Sequence, residues 1–246
     1  MIREMTIHLV VVYEKGMVVF MDKHLSIAID GPSGAGKSTL AKLCAESLGF
    51  LYVDTGAIYR TVGVAVKNAG LDSKDEVGIT ALLPDIHITM RHDENGLQRM
   101  ILNDRDVTDE IRLPEISIYA SDVSAIPSVR AFLLDMQRHL AETQNVIMDG
   151  RDIGTVVLPN AELKIFLTAA QEERAQRRYD ELLLRGVKTS YEEVLRDIEY
   201  RDRNDSMRSA APLRPAEGAV ILDTTGNSLE QSFDLIRGLI EGKMAQ

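Results

Sequence analysis

Residues 25–48 read LSIAIDGPSGAGKSTLAKLCAESL, and this stretch decides the fold. An apolar run, Leu25 to Ile29, is followed by a glycine-rich turn and then by a helical pattern with apolar residues at 40, 43, 44 and 48. This order predicts a buried strand, a loop and a helix. Backbone N–H groups of such a loop and the N-terminus of such a helix point at one anion.

The loop carries two glycines separated by four residues and followed by Lys37 and Ser38, which is the pattern of a phosphate-binding loop. We expect Lys37 to reach the β- and γ-phosphates of ATP and the Ser38 hydroxyl to hold Mg²⁺. An ordinary glycine-rich turn is the competing interpretation, and the flanking strand and helix disfavour it. The predicted ATP-binding residues are Gly31, Pro32, Ser33, Gly34, Ala35, Gly36, Lys37, Ser38 and Thr39.

Strands and helices alternate along most of the chain. Residues 50–53 are predicted as a second strand and residues 57–68 as a second helix, and this alternation is typical of an α/β fold with a parallel sheet. Two β-prone runs, 86–90 and 97–102, interrupt the pattern and predict an inserted hairpin. Further strands are expected at 146–148, 163–167 and 219–222, and helices from about 114, from Pro127 to about Glu142, and at 228–240.

Two segments differ from this core. Residues 1–24 hold a β-prone stretch and an apolar patch with no turn or cap that links them to residue 25, so we expect a disordered or non-native extension. Residues 170–208 are helical and densely charged, which favours a mobile outer lobe over a buried element.

Composition excludes several classes of protein. The chain has 246 residues, of which 45% are hydrophobic and 27% charged, as expected of a globular protein. A net charge of −10 argues against a general nucleic-acid binder, and no apolar run reaches the ~20 residues that span a bilayer. The single cysteine, Cys44, indicates a reducing compartment. We therefore expect a monomeric cytoplasmic protein that binds neither nucleic acid nor membrane.

Other triphosphate-binding proteins fit less well. A guanine-nucleotide switch needs an Asn-Lys-x-Asp or Thr-Lys-x-Asp segment late in the chain, which is missing, and the switch-like Asp93-x-x-Gly96 falls in the predicted hairpin turn. A motor or pump ATPase needs adjacent acids at a strand end, whereas Asp149 is followed by Gly150 and Arg151. The basic residue at this position points to a second anion.

Two arginines are placed to bind that second anion. Arg60 and Arg151 each follow a predicted strand, and ligands of open α/β sheets lie beyond the carboxyl ends of the strands. Residues 171–208 contain eight arginines but ten acids, so we expect most of these arginines in surface pairs, with Arg201 and Arg208 closing over the transferring phosphate. The residues alone predict an ATP-dependent phosphotransferase with a small phosphorylated acceptor and the catalytic residues Lys37, Arg151, Arg201 and Arg208.

Four segments in this order and spacing resemble the bacterial-type cytidylate kinases: 30–37, 54–60, 149–154 and 202–208. The resemblance covers roughly residues 25–240 and implies an α/β P-loop kinase fold with a parallel sheet flanked by helices, an inserted monophosphate-binding lobe containing a small antiparallel sheet, and a helical lid. The implied activity is transfer of the ATP γ-phosphate to CMP or dCMP with Mg²⁺. The implied bounds are 25–246 for the domain, about 55–126 for the lobe, about 86–110 for its sheet and about 172–210 for the lid.

The resemblance also implies which residues bind the acceptor. Asp205 would accept from the ribose hydroxyls. The acceptor phosphate would be held by Arg60, Arg151 and Arg208. The nucleoside pocket would be lined by Thr55, Ser121, Arg130 and Asp152.

The chemistry of cytosine agrees with this set. Its N4 amino group donates and its N3 and O2 accept, so Asp152 beside the donors Arg130 and Ser121 complements it, while uracil presents an acceptor at that carboxylate. A surface or capping role for Ser121 and an i,i+4 contact for Arg130 stay open as alternatives. So does a kinase of this architecture for UMP, AMP or shikimate.

Overall fold

The computed structural model describes residues 8–12, 18–22, 24–93 and 98–245. Its strands, in chain order, are β1 (His8–Val12), β2 (Val18–Asp22), β3 (Ser26–Asp30), β4 (Leu51–Asp54), β5 (Ile88–His92), β6 (Gln98–Leu102), β7 (Arg105–Asp106), β8 (Val146–Gly150), β9 (Leu163–Thr168) and β10 (Val220–Asp223). Its α-helices are α1 (Lys37–Leu48), α2 (Thr55–Asn68), α3 (Glu76–Leu82), α4 (Pro114–Val123), α5 (Pro127–Glu142), α6 (Gln171–Leu184), α7 (Tyr191–Met207) and α8 (Leu229–Met244).

A parallel five-stranded sheet in the order β10-β9-β3-β8-β4 lies at the centre. Ile27, Ala28 and Ile29 of the middle strand β3 are fully buried, as expected when helices cover both faces of a parallel sheet. Cys44 of α1 and Ile236 of α8 belong to the core on one face, and Val62 of α2 belongs to the core on the other. The predicted α/β class and the predicted core strands are confirmed.

The inserted hairpin is confirmed as strands β5 and β6, and β7 extends it to a three-stranded antiparallel sheet. Strand β7 was not predicted as a separate strand, because its two residues carry no alternating pattern. Asn103 and Asp104 make the turn before it in the left-handed region, with φ of 45° and 64°. The predicted hairpin turn falls partly on residues 94–97, which lie outside the described residues.

Two helix boundaries differ from the prediction. Helix α2 begins at Thr55 rather than at 57, because the Asp54 carboxylate accepts from Ala57 N at 2.8 Å and caps the helix there. Arg60 is therefore in the second turn of α2 and not in the first. Helix α8 continues to Met244, past the expected end at 240, after a capping box at Ser228.

Two segments were expected to differ from the core: the N-terminal residues and the outer charged segment. Strands β1 and β2 pair as an antiparallel hairpin, and the other residues before 24 lie outside the described part, so the disordered or non-native extension stays a prediction. We call α6 and α7 the outer helical pair. Its inner faces form a small core that includes Leu182 and Ile198. No helix within the described residues is long and apolar enough to cross a bilayer.

Candidate active site

One open cleft of about 890 Å³ runs along the carboxyl ends of β3, β4 and β8. This volume is near the upper end of the range for small-molecule sites, ~300–1,000 Å³, and leaves room for more than one ligand group. Its lining includes these residues with predicted roles: Gly34, Ala35, Gly36, Lys37, Ser38, Thr39, Thr55, Arg60, Ser121, Arg151, Asp152, Arg201, Asp205 and Arg208.

The second half of the phosphate loop faces this cleft, and the first half faces the protein. A Cβ atom at Gly31 would lie 1.9 Å from Leu167 O, so only glycine fits there. Gly31, Pro32 and Ser33 do not line the cleft, and their assignment as ATP-binding residues stays a prediction. This half of the loop contacts the outer helical pair, α6 and α7. Ser33 N donates to Asp202 Oδ1 at 3.1 Å, and Ser33 O accepts from Arg174 Nη1 at 2.7 Å.

Lys37 lies where the loop turns into α1. Its Nζ donates to Pro32 O at 2.7 Å, and burial, reinforced by Arg151, lowers the pKa of the amine to about 7. An anion bound beside Lys37 would offset both causes, because it favours the ammonium form and raises the pKa. Lys37 is therefore placed to pair with an anion at the end of the loop.

Two carboxylates lie beside the loop at neighbouring strand ends. Asp54 and Asp149 are register partners on β4 and β8. Asp149 Oδ2 accepts from Ser38 Oγ and Oδ1 accepts from Tyr52 OH, both at 2.9 Å. Burial, reinforced by Asp54, raises the pKa of Asp149 to about 6. Asp54 in turn accepts from Arg60 Nη2 at 2.7 Å.

Arg151 connects the phosphate loop to the outer helical pair. Its Nη2 donates to Ser33 Oγ at 2.9 Å and its Nε donates to Asp205 Oδ2 at 2.7 Å. Burial raises the pKa of Asp205, yet Arg151, Arg201 and Arg208 together outweigh it, so the net shift is downward. Asp205 therefore stays ionised beneath these arginines.

Arg201 is the least satisfied cation of the cleft. Its Nε is buried and finds no hydrogen-bond partner among the described residues. Burial, with help from Arg151 and other arginines, lowers its pKa to about 10, so the guanidinium remains charged at neutral pH. A buried charge with an unused donor is costly unless a ligand supplies the acceptor. The arrangement thus favours an anion between Arg201, Arg151 and Arg60.

Asp152 lies at the other end of the cleft. Its carboxylate accepts from Arg130, and from Arg208 Nη2 at 3.3 Å. Arg208 also donates from Nη1 to Ser124 Oγ at 2.9 Å. The Ser121 hydroxyl nearby accepts from the Asn204 amide at 2.8 Å and is 3.3 Å from Asp205 Oδ1.

The cytidylate kinase family model matches residues 27–241. The chain belongs to the cytidylate kinase family. A curated cytidylate kinase of Carboxydothermus hydrogenoformans is 51% identical over 207 residues, which cover 84% of this chain and 93% of the relative. One of Halalkalibacterium halodurans is 48% identical over 222 residues, which cover 90% of this chain and 100% of the relative. A solved structure of an uncharacterized protein from Eubacterium ventriosum has TM-score 0.50 at 14% identity, covers 89% of this chain and 99% of that chain, and shows a likeness of fold.

The resemblance to the cytidylate kinases is thereby confirmed, and the structure decides between several local alternatives. Arg130 contacts Asp152, 22 positions away, so an i,i+4 contact is a wrong interpretation. Ser121 is buried and lines the cleft, so a surface role is also wrong. Thr55 lines the cleft, and its Oγ1 donates to Asp149 O at 2.7 Å; its role in a nucleoside pocket stays a prediction.

Arg208 lines the cleft beside Asp152. Its three guanidinium nitrogens are used by Ser124, Asp152 and Ala211 O, and its side chain is 2% exposed. Arg208, Arg60 and Arg151 line the same cleft, and the role of Arg208 in holding the acceptor phosphate stays a prediction. Arg208 is the first residue after α7, and its backbone is extended there.

Several residues of the site were not predicted from the sequence. Arg174 and Asp202 hold the phosphate loop from behind, and Asp149 holds Ser38. Asp149 had a usable signal, because it ends a strand next to the strand that ends in Asp54. No sequence signal pointed to Arg174, because nothing in the sequence distinguishes a buried arginine from the other arginines of a highly charged helix.

Proposed function

We propose that this chain transfers the γ-phosphate of ATP to CMP or dCMP and forms CDP or dCDP. One observation carries the proposal: Arg151 lines the same cleft as Lys37 of the phosphate loop and Arg201 of the outer helical pair, and it is bonded to Asp205, so a single cation serves the donor side and the acceptor side of one cleft. Two phosphates bound on its two sides would meet end to end, which is the geometry of direct transfer.

The donor triphosphate would bind along Gly34 to Thr39, where loop amides and the N-terminus of α1 face the cleft. Lys37 would pair with its terminal phosphates. Mg²⁺ fits beside it, because the Ser38 hydroxyl and the Asp149 carboxylate offer the oxygen donors that this ion prefers. When bound, Mg²⁺ supplies charge neutralisation at the phosphate oxygens.

The acceptor phosphate would lie between Arg60, Arg151 and Arg201. A phosphate monoester oxygen is already anionic at pH 7, so the transfer needs no general base. Charge develops on the equatorial oxygens of the transferring group, and positioned guanidinium groups stabilise it. The unused donor at Arg201 Nε is available for this purpose. Closure of the outer helical pair, the proposed lid at about 172–210, would exclude water as a competing acceptor.

The base of the acceptor would be read by Asp152 with Arg130 and Ser121. An ionised carboxylate offers about four acceptor positions, so Asp152 can receive the cytosine N4 amino group in addition to its arginine partners. Uracil would place a carbonyl against the same carboxylate and would be disfavoured. Asp205 would bind the ribose hydroxyls from the opposite wall.

A coupled assay of ADP release tests the proposal with ATP as donor and CMP, dCMP, UMP, AMP and shikimate as acceptors. We expect fast turnover with CMP or dCMP and slow turnover with the other three. Equal turnover with AMP and CMP would contradict base reading by Asp152. ADP release independent of any acceptor would contradict transfer and would favour a nucleotide-gated switch. The cytoplasmic location and the monomeric state stay predictions.

A further inference from the structure

Asp30 stands directly before the phosphate loop in the sequence, but its side chain serves another part of the cleft. The carboxylate is buried, with 3% of the residue exposed. Oδ1 accepts from Ile153 N at 2.7 Å and Oδ2 accepts from Gly154 N at 2.8 Å. Both oxygens are therefore bonded to the loop that follows β8, which carries Arg151 and Asp152.

The two N–H groups that Asp30 binds begin a short helical turn. Residues Ile153–Val157 form a π-helical turn, and the first N–H groups of any helix have no partner within it. The residue before the turn normally caps them with its own side chain, and Asp is among the residues that do this best. That residue is Asp152, and its side chain makes no cap. Its carboxylate faces the cleft and binds Arg130 and Arg208.

We propose that Asp30 is a positioning residue for the acceptor nucleotide: it caps the turn at Ile153 and Gly154 from a distance and so leaves the Asp152 carboxylate free to read the base. The inference rests on the proposed function, which assigns that reading to Asp152. Asp30 itself does not line the cleft. A residue next to the ATP loop thus controls selectivity for the acceptor.

The Asp30→Asn substitution tests whether Asp30 caps the turn and thereby leaves Asp152 free to read the base. The variant keeps one acceptor oxygen and places an amide NH₂ against a backbone N–H, so one N–H loses its partner. Asp152 is the nearest carboxylate able to replace the cap, and in doing so it leaves the base pocket. We expect D30N to lower kcat/KM for CMP about tenfold, to lower the CMP-over-UMP ratio, and to leave the Kd of ATP measured by calorimetry without acceptor within about twofold.

A double-mutant cycle distinguishes this role from general support of the fold. D152N should lower the CMP-over-UMP ratio by itself, and D30N should change that ratio less than about twofold in the D152N background. Asp75→Asn is the matched control, because Asp75 caps α3 through Gly78 N at 2.9 Å, outside the cleft, and should leave both nucleotides unaffected. Asp30→Ser keeps a short acceptor without an added N–H and is measured in parallel. If only one of the two Asp30 variants folds, its CMP-over-UMP ratio tests the proposal.

Three results would overturn the inference: weaker ATP binding in D30N, equal losses with CMP and UMP, or additive losses in the double variant. The wild-type protein is assayed first. No turnover of CMP by the wild type contradicts the proposed function. Turnover of CMP by the wild type together with an unchanged CMP-over-UMP ratio in folded D30N contradicts only the inference about Asp30.

Discussion

Arg151 and Asp205 form a partly buried ion pair, with 2.7 Å between Nε and Oδ2 and side chains 19% and 6% exposed. The pair joins the loop after β8 to α7 of the outer helical pair. Removal of one partner of a buried pair leaves the other charge unsatisfied, and this typically costs about 3–5 kcal/mol of stability. Arg201 and Arg208 also act on Asp205 and should reduce that cost.

Arg151→Ala is therefore expected to lower kcat by about 10²–10³, because it removes a cation from the transferring phosphate, and to lower the free energy of unfolding by about 2 kcal/mol. Steady-state kinetics and chemical denaturation measure the two effects. Arg151→Lys keeps the positive charge but cannot contact Ser33 and Asp205 at the same time, as the guanidinium does. Its kcat should therefore fall between those of the wild type and the alanine variant. A kcat within twofold of wild type in either variant would remove Arg151 from the site.

Arg60→Ala should raise KM for CMP by about tenfold or more and leave the Kd of ATP within about twofold, because Arg60 faces the acceptor side and pairs with Asp54. Steady-state kinetics with CMP measures the KM, and calorimetry with ATP measures the Kd. Arg99→Ala is the matched control, since Arg99 is paired to Asp106 in the small sheet and lies outside the cleft. Loss of ATP affinity in Arg60→Ala would place that residue in the donor site.

Arg208→Ala should cut turnover of CMP strongly and should also lower the CMP-over-UMP ratio, because Arg208 holds Asp152 and Ser124. It should lower the melting temperature as well, since it leaves the buried Asp152 with one cation fewer. An acceptor panel and a thermal unfolding curve measure both effects. Lower turnover with an unchanged CMP-over-UMP ratio would contradict this contribution to base reading and would favour the predicted role of Arg208 in the phosphate clamp.

Asp30 predicts a pH dependence of stability. Its pKa is raised from 3.8 to about 6. Burial is the main cause and Asp152 adds to it, while the N–H groups of Gly154 and Ile153 and the charge of Lys37 oppose the shift. The folded state therefore binds more protons than the unfolded state between about pH 4 and pH 6, and the contribution of Asp30 to the free energy of unfolding falls as the pH rises through this window.

Chemical denaturation of the wild type and of Asp30→Asn at pH 4.5, 5.5 and 7 isolates this contribution. The wild-type value minus the variant value should decrease with rising pH by an amount on the order of 2 kcal/mol. A constant difference across these pH values would mean that the carboxyl of Asp30 titrates alike in both states.

Asp202→Asn and Arg174→Met should weaken ATP binding more than CMP binding. The Arg174 guanidinium donates to Asp202 Oδ2 and to Ser33 O, both at 2.7 Å, so the pair fixes the loop on which the triphosphate lies. We expect the Kd of ATP to rise about tenfold in Asp202→Asn, with KM for CMP at saturating ATP within about threefold of wild type. A larger effect on CMP would show that the outer helical pair acts mainly on the acceptor.

The sequence predicted the sheet well because its strands are continuous apolar runs, such as Ile27 to Ile29, that end in polar residues. It missed α3, where Ile79 alone is buried and no apolar stripe forms. It also missed β7, which has two residues. Periodicity detects elements that bury a regular face, and these two elements do not.

The site was predictable where a residue follows a strand or a glycine turn, as Lys37, Arg60 and Arg151 do. It was not predictable where the partners are remote in the chain. Asp30 binds Gly154 across 124 positions and Arg174 binds Ser33 across 141. Neither spacing nor helical period relates such residues, so the supports behind the phosphate loop and the base pocket appeared only in the folded chain.

Donor and acceptor phosphates are expected to lie end to end in one cleft. Calorimetry and inhibition kinetics with a bisubstrate ligand, adenosine and cytidine joined through five phosphates, measure this arrangement. We expect one molecule bound per chain, competition against both ATP and CMP, and an affinity well above that of either nucleotide, because the second half binds at high effective concentration. Competition against ATP alone, with an affinity no higher than that of ATP, would mean that the two phosphates do not share one cleft.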